Sequence, residues 1–420
     1  MGGYVRQGKR LLIVALILCA CARGAFAQSG LRDRERSFSA SQDIANDLRK
    51  AHFHHGPFYL LSTFQLSDIG YDSSFYVPTA DRQSGFRFGI QAPTRLYFVP
   101  SKKTIYSIDF RPEVSFFTRG KSSTVFGYKA RADAQYLLNH LYLDVYAENS
   151  NQLRADVSEI ARLLTEKAQA YGVSGELKYS SRTSATFNAA TLKSAYPLDK
   201  IQPTDVPIEV LDRTGHNYRI AFNHKTFPLT SLFLTTEFSD YSFPNAVFKN
   251  GRRTFLGGGF SNDNGRTVTR LEVGAGKLDF FRPGQHDFRG ALGNLTSNRK
   301  LGRSTTLSFG AARDLDFSVF LFNNYYIADR LNAALAWDAT RRLTITLQDA
   351  YGRDLYETPV QGPHGFLKRR DVFTFPSIGF TYGLARLRGG VDIGYVNRTS
   401  NFDANLDHGI RLLFRLSFTP

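Results

Sequence analysis

From Leu412 to Phe418 every second residue is apolar: Leu412, Phe414, Leu416 and Phe418. Leu413, Arg415 and Ser417 lie between them and Arg411 precedes. A period of two places the two sets on opposite faces of a β-strand. The pattern recurs along the chain. Phe86, Phe88, Ile90, Ala92, Leu96 and Phe98 oppose Arg87, Gly89, Gln91 and Arg95. Tyr128, Ala130, Ala132, Ala134 and Tyr136 oppose Lys129, Arg131, Asp133 and Gln135. Tyr171, Val173, Leu177 and Tyr179 oppose Ser174, Glu176 and Lys178. Leu387, Val391, Ile393 and Tyr395 oppose Arg388 and Asp392. Short turns rich in Gly, Ser, Lys and Arg punctuate the strands. The strand-start positions Thr183, Thr230, Thr267, Thr305, Leu343 and Leu387 fall 47, 37, 38, 38 and 44 residues apart. Each interval holds two long strands and one longer loop. The pattern predicts 18 strands, centred near residues 62, 91, 110, 131, 145, 173, 188, 220, 236, 257, 273, 292, 308, 330, 348, 378, 392 and 413, with 16 as the alternative count. Tight turns gather at one end and long loops, such as 195–214 and 353–371, at the other.

Two segments carry helical spacing instead. Residues 41–51 place Ile44, Leu48 and Ala51 on one side of a short amphipathic helix ahead of the first strand. It has two candidate sites, the periplasm and the lumen. Leu153, Val157, Ile160, Leu163 and Leu164 fit either a short loop helix or a poorly alternating strand.

The first 27 residues read as an export signal. Arg6, Lys9 and Arg10 precede an apolar stretch from Leu11 to Ala22, too short to span a bilayer, and Ala25-Phe26-Ala27 fits a cleavage site. Lipidation at Cys21 is the rival reading. Both cysteines, Cys19 and Cys21, lie in this stretch, so the mature chain would hold no disulfide. The expected organisation is a signal over 1–27, a short periplasmic or lumen-facing segment over 28–56, and one β-domain over 57–420.

Soluble sheets favour about 5–6 residues per strand, whereas these runs suit the roughly 9–11 tilted residues that cross a bilayer. No lipid-exposed sheet edge is tolerable, so the barrel must close. The fold class expected is all-β: a closed antiparallel transmembrane β-barrel with short periplasmic turns and long extracellular loops, in the bacterial outer membrane. Aromatic girdle candidates are Tyr97, Phe98, Phe117, Tyr136, Tyr179, Phe238, Tyr241, Phe280, Tyr326, Trp337, Tyr351 and Tyr382. Phe58–Leu66 is expected to pair with the strand ending at Phe418.

Four stretches resemble the outer-membrane β-barrel porins that accompany exopolysaccharide synthesis and export. They are GYDSSFYV at 70–77, AQAYGVSGELKYSSRTSAT at 168–186, RTGHNYRIAFNHKTFPLTSLFLTTEFSDYSF at 213–243 and ATRRLTITLQDAYGRDLYE at 339–357. The resemblance implies a barrel in the outer membrane and passage of polysaccharide. It carries no catalytic residue. The end of the chain is similar to the closing strand of such barrels, read by the barrel-insertion machinery: Arg411, then Leu413, Leu416 and Phe418 at the spacing of that signal. Thr419 and Pro420 after the aromatic depart from it.

Candidate chemistry is sparse. No H-E-x-x-H, G-x-S-x-G or phosphate-loop motif in strand-to-helix context appears, and no cofactor, metal or catalytic residue is assigned. His52, His54 and His55 form a weak metal candidate. The informative residues are the polar parity of the strands. Its lumen-lining candidates are Arg87, Arg95, Arg111, Glu113, Lys129, Arg131, Asp133, Lys178, Arg219, Lys225, Arg270, Glu272, Arg388, Asp392, Arg411 and Arg415. A basic excess in a lumen favours anionic solutes, acidic sugars among them. Lys368-Arg369-Arg370 is the loop candidate for lipopolysaccharide phosphates. Expected partners are outer-membrane lipid, the insertion machinery, polysaccharide and periplasmic export components, and no nucleic acid. Alternatives are a non-conducting assembly or adhesion partner that displays its loops, and a hydrolase at the barrel rim.

Overall fold

The computed structural model describes residues 38–72, 85–119, 121–154, 164–197, 208–362, 365–402 and 407–419. The expected signal and both cysteines lie outside the described residues, as do residues 155–163 of the ambiguous helical stretch.

One helix, α1 (Phe38–Arg49), precedes 22 strand segments. These are β1 (Phe53–His55), β2 (Phe58–Ser62), β3 (Phe64–Asp72), β4 (Gly85–Gln91), β5 (Thr94–Ser101), β6 (Thr104–Arg119), β7 (Lys121–Leu137), β8 (Leu141–Arg154), β9 (Leu164–Lys178), β10 (Thr183–Ala195) and β11 (Arg213–Phe227). There follow β12 (Thr230–Ser242), β13 (Gly251–Asp263), β14 (Thr267–Phe280), β15 (Phe288–Lys300), β16 (Thr305–Phe317), β17 (Tyr325–Asp338), β18 (Leu343–Gly362), β19 (Gly365–Thr374), β20 (Ser377–Leu384), β21 (Leu387–Ser400) and β22 (Asp407–Phe418). All belong to one antiparallel sheet. Three pairs of segments are single staves interrupted once: β2–β3, β4–β5 and β19–β20. Two of the breaks coincide with Pro93 and Pro376, which cannot donate to a ladder. The sheet therefore has 18 staves, and β22 pairs with β3 to close it. All six strand-start positions read from the repeat are the first residues of their strands.

Closure runs from Arg411↔Asp72 to Phe418↔Phe64. The observed partner segment thus sits further along the first stave and overlaps the expected Phe58–Leu66 only over Phe64–Leu66. Phe58–Ser62 instead pairs with β5 and, on its other edge, with β1. A second difference concerns residues 353–371, expected to be a loop. They extend β18 and β19 into a long hairpin in which Pro359 opposes Lys368. The register shift between Leu355 and Pro359 breaks this stretch's alternation in the sequence.

One parity faces out. Phe64, Leu96, Ile108, Phe126, Val145, Tyr171, Tyr218, Ile220, Leu234, Leu256, Val273, Leu331, Trp337, Phe414 and Phe418 are all exposed. The opposite parity carries the buried residues, such as Gln135, Asp144, Ser174, Thr235 and Ser239. Apolar out and polar in inverts a soluble protein and suits lipid as the outer solvent. The girdle expectation needs correction. Tyr97, Phe117, Phe280 and Tyr326 are buried on the inner side, and Tyr241 packs edge-on against Phe317 at 4.9 Å. Both parities carry aromatics near strand ends, so an aromatic there does not by itself declare its side.

Candidate lumen and its charged lining

The turn end of the barrel is occupied by α1. Ile44 is buried against Tyr97 and Ile105, with Leu48, Tyr59, Leu61, Val99 and Leu137 packed around them. All the strand members of this cluster are on the inner parity, so the helix sits inside the barrel. Tyr97 Oη donates to Asp47 Oδ2 at 2.8 Å, and Arg95 binds the same carboxylate. The amphipathic periodicity of residues 41–51 thus pays off inside the lumen rather than in the periplasm. Of the nearby histidines, His52 Nδ1 accepts the Ser62 N–H at 3.1 Å and His54 stacks on Tyr59 at 4.2 Å. Among the described residues no group of three or more His, Cys, Asp or Glu could hold a metal ion.

At the loop end, three connections fold together. Ile208, Val210 and Leu211 from one, Phe243 and Ala246 from the next, and Val319 from a third form a buried apolar cluster with Leu164 and Tyr196. Lys249 is fully buried beneath it and donates to the Ser318 and Phe320 carbonyls. Burial holds the Asp212 carboxyl above the ordinary carboxylate range, although it accepts the Tyr196 N–H at 2.6 Å. The β16–β17 hairpin leans into the same mass. Pairing of β15 with β16 stops at Gly293↔Arg313, and beyond it Leu315, Tyr325 and Ile327 pack on the inward Phe255, Leu278, Phe280, Phe288 and Leu292. One side of the outer mouth is therefore filled by protein.

Between these two obstructions the inner wall divides by exposure. On the filled side the charges are mostly buried and held in ion pairs. Arg219 donates to Glu272 at 2.8 and 3.0 Å and to Glu237 at 3.1 Å. Arg131 pairs with Asp133 at 2.7 Å and lies 4.2 Å over the Tyr146 ring, within reach of Asp144 and Glu148. Lys129 reaches Glu148 at 3.1 Å. Arg253 pairs with Asp314, and Arg330 with the fully buried Asp354, both at 2.6 Å. Arg369 and Arg398 share Asp371 at 2.9 and 3.2 Å.

On the other side, over β20 to β22 and then β3, β4 and β6, inward cations keep water access. Arg388 is exposed and Arg87 and Arg411 are half-buried. Arg415 is 40% exposed while bound to Asp392 at 2.6 Å. Arg111 is 48% exposed while bound to Asp109, which also takes Arg95 at 2.8 Å. Glu113 accepts the Ser115 hydroxyl at 3.1 Å. Lys225 is exposed and Lys178 half-buried at the turn end, and Arg270 lies 4.3 Å over Phe233. The wall behind the arginines is thinned by glycine: a Cβ on Gly379 would stand 2.5 Å from Asp392 Oδ1.

Asp47 of α1 and several inner-wall charges were absent from the lumen-lining candidates: Asp109, Asp144, Glu148, Arg253, Asp314, Arg330, Asp354, Asp371 and Arg398. For Asp144 and Glu148 the signal was present in LYLDVYAEN, where they alternate with Val145 and Ala147. The tripeptide 368–370 needs correction as a loop. It lies in β19; Lys368 binds Glu357, Arg369 is held by Asp371 and stacks 4.5 Å from Phe320, and Lys368 and Arg370 are both exposed. Within the terminal motif, Leu413 opposes Asp392 and Gly70 on the inner face, while Leu416 and Phe418 are exposed outside.

A closed 18-stave antiparallel barrel with an apolar outer wall and a charged lumen defines the class: a transmembrane β-barrel. No family model and no curated protein matches the chain. Solved structures do. OpdO of Pseudomonas aeruginosa is 14% identical, with 86% of this chain and 97% of that one covered and a TM-score of 0.47. A BenF-like porin from Pseudomonas fluorescens is 11% identical over 86% and 99%, at 0.49. A structure described as a bacterial polysaccharide outer membrane secretin is 10% identical over 86% and 98%, at 0.34. The likeness is one of fold.

Proposed function

We propose that the chain is an outer-membrane channel for anionic solutes, with its tight turns in the periplasm and its loops outside. The observation that carries this reading is the division of the lumen. Charges on the filled side are consumed in buried pairs, whereas Arg388, Arg411, Arg415, Arg87 and Arg111 stand along one water-accessible strip. A low-dielectric wall behind such a strip focuses its field and lowers the entry barrier for anions. The sequence resemblance implies passage of polysaccharide, and an acidic polysaccharide is the larger member of the same substrate class. The helix α1 at the turn end acts as the inner gate of this path.

The test is reconstitution into planar bilayers under a salt gradient. Wild-type protein and a deletion of residues 28–51 should both conduct with anion preference, the deletion more strongly. Absence of conductance in the deleted form would refute the reading. The packed cluster around Phe243 and Val319 favours one second reading, a closed barrel that presents a folded loop surface to a partner. That reading expects no conductance from the deleted form and loss of function when loop residues 196–212 are trimmed.

A further inference from the structure

The outer wall is not uniform near the loop end. Over β21, β22, β3, β4 and β7 it is apolar, presenting Tyr395, Ile410, Tyr71, Phe86 and Phe126. Across β11 to β18 the outward parity instead becomes charged. Register sets His216, Asp240, Arg252 and Asp279 side by side on four neighbouring strands, and Lys277 and Arg289 beside each other in the adjoining row. Arg313, Asp329 and Arg353 continue the belt on β16, β17 and β18. Turnward of these residues the same strands carry exposed Leu234, Leu256, Val273 and Leu331, so the belt marks the edge of the apolar band.

We infer that this half-belt binds the phosphates of a phosphorylated glycolipid headgroup in the outer leaflet. The inference rests on the orientation given under the proposed function. Charges on a lipid-facing wall are costly in hydrocarbon and tolerable only at the headgroup level. Here five cations face three carboxylates: Arg252 pairs with Asp240 at 2.9 Å, Lys277 with Asp279 at 2.6 Å, and Arg313 and Arg353 share Asp329. The surplus is positive, and Arg289 stands exposed at its centre. Arg252 is 48% exposed and rests 4.7 Å over the Phe238 ring, so its guanidinium is oriented while its remaining donors face outward. Charge complementarity selects a phosphate. The bare aromatic wall on the opposite half offers nothing comparable, which confines the lipid to one side.

Full-length protein in neutral-lipid nanodiscs doped with bis-phosphorylated lipid A, or with its dephosphorylated counterpart, tests this by native mass spectrometry of retained glycolipid. Wild type should retain the phosphorylated form at least about tenfold better. The triple variant Arg252→Gln, Lys277→Gln, Arg289→Gln should lose most of that preference, at roughly fivefold per cation near an anionic surface. Its heat-modifiable migration should stay unchanged, as a check on folding. Equal retention of both lipids by wild type, or undiminished preference in a folded triple variant, would overturn the inference. So would cross-linking between copies through a cysteine placed at 252, which would make the belt a contact between two chains. A barrel that does not conduct would sink the channel reading and leave lipid retention as it is.

Discussion

The Tyr97 hydroxyl on the inner wall donates to the Asp47 carboxylate of α1 at 2.8 Å, and Arg95 closes on the same oxygen. This bond and the contacts of Ile44 tie the helix into the lumen. The carboxylate is 28% exposed and the guanidinium 35%, so the pair is worth about 1 kcal/mol, in the range of half-solvated ion pairs. Asp47→Asn should therefore raise the undocked fraction of the helix roughly fivefold. Single-channel recordings should show more frequent or longer open events, without change in ion preference. Ile44→Asp, which puts a charge among Tyr97 and Ile105, should mimic deletion of residues 28–51. Identical gating in Asp47→Asn, Ile44→Asp and wild type would deny the helix a gating role.

The paired charges of the filled side should behave as structure. Removing Arg219 strands Glu237 and Glu272 in a buried site, a loss of roughly 3–5 kcal/mol by comparison with other broken buried pairs. Arg219→Ala should lower the urea concentration at which heat-modifiable migration is lost. Reversal potentials of the surviving channels should not move. A stable Arg219→Ala protein with altered selectivity would show that the pair faces the conducting path.

The strip over β20 to β22 should show the reverse behaviour. Arg388 is exposed and makes no ion pair among the described residues, so Arg388→Gln should leave stability within about 0.5 kcal/mol and weaken anion preference. Arg415→Gln should weaken it further, because it also uncovers Asp392. The two reversal potentials, measured under one salt gradient, give the order. Wild-type values for both would remove the basis for anion selectivity.

The number, order and starts of the staves were legible because period-2 alternation and turn chemistry are local. Thr183, Thr230, Thr267, Thr305, Leu343 and Leu387 each follow a tight turn within four residues, so they could be read directly. What was not legible is non-local. Tyr97 and Trp337 look alike in sequence, yet Tyr97 is buried under α1 and Trp337 is 48% exposed. Strand parity separates them, since Tyr97 shares the side of Arg95 and Trp337 that of Leu331, but the cover over Tyr97 comes from Ile44 and Leu48 of α1. The inward lean of the β16–β17 hairpin is likewise invisible, since Leu315 and Ile327 keep an outward parity while their surroundings are the inner faces of β13 to β15. The polar parity located inner-wall charges but could not separate the buried Arg219 from the accessible Arg388, because that depends on which loops fill which side.

Lys249 supplies the sharpest test of that filling. Its ammonium is fully buried and donates to two carbonyls of the 318–324 connection, so it pins one loop to the next. A hydrogen bond from a charged group is worth about 1.5–3 kcal/mol, enough to hold a loop in place and too little to hold a barrel together. Lys249→Met keeps an unbranched apolar stem in the buried site and removes the donors. The 318–324 connection should then become susceptible to limited proteolysis in intact membranes, while heat-modifiable migration persists. Conductance should rise, because the mouth beneath the cluster around Phe243 and Val319 opens. Protease resistance equal to wild type would mean that the apolar cluster alone seals that side. Lys249 would then be a buried cation tolerated by the loops and without a part in closing them.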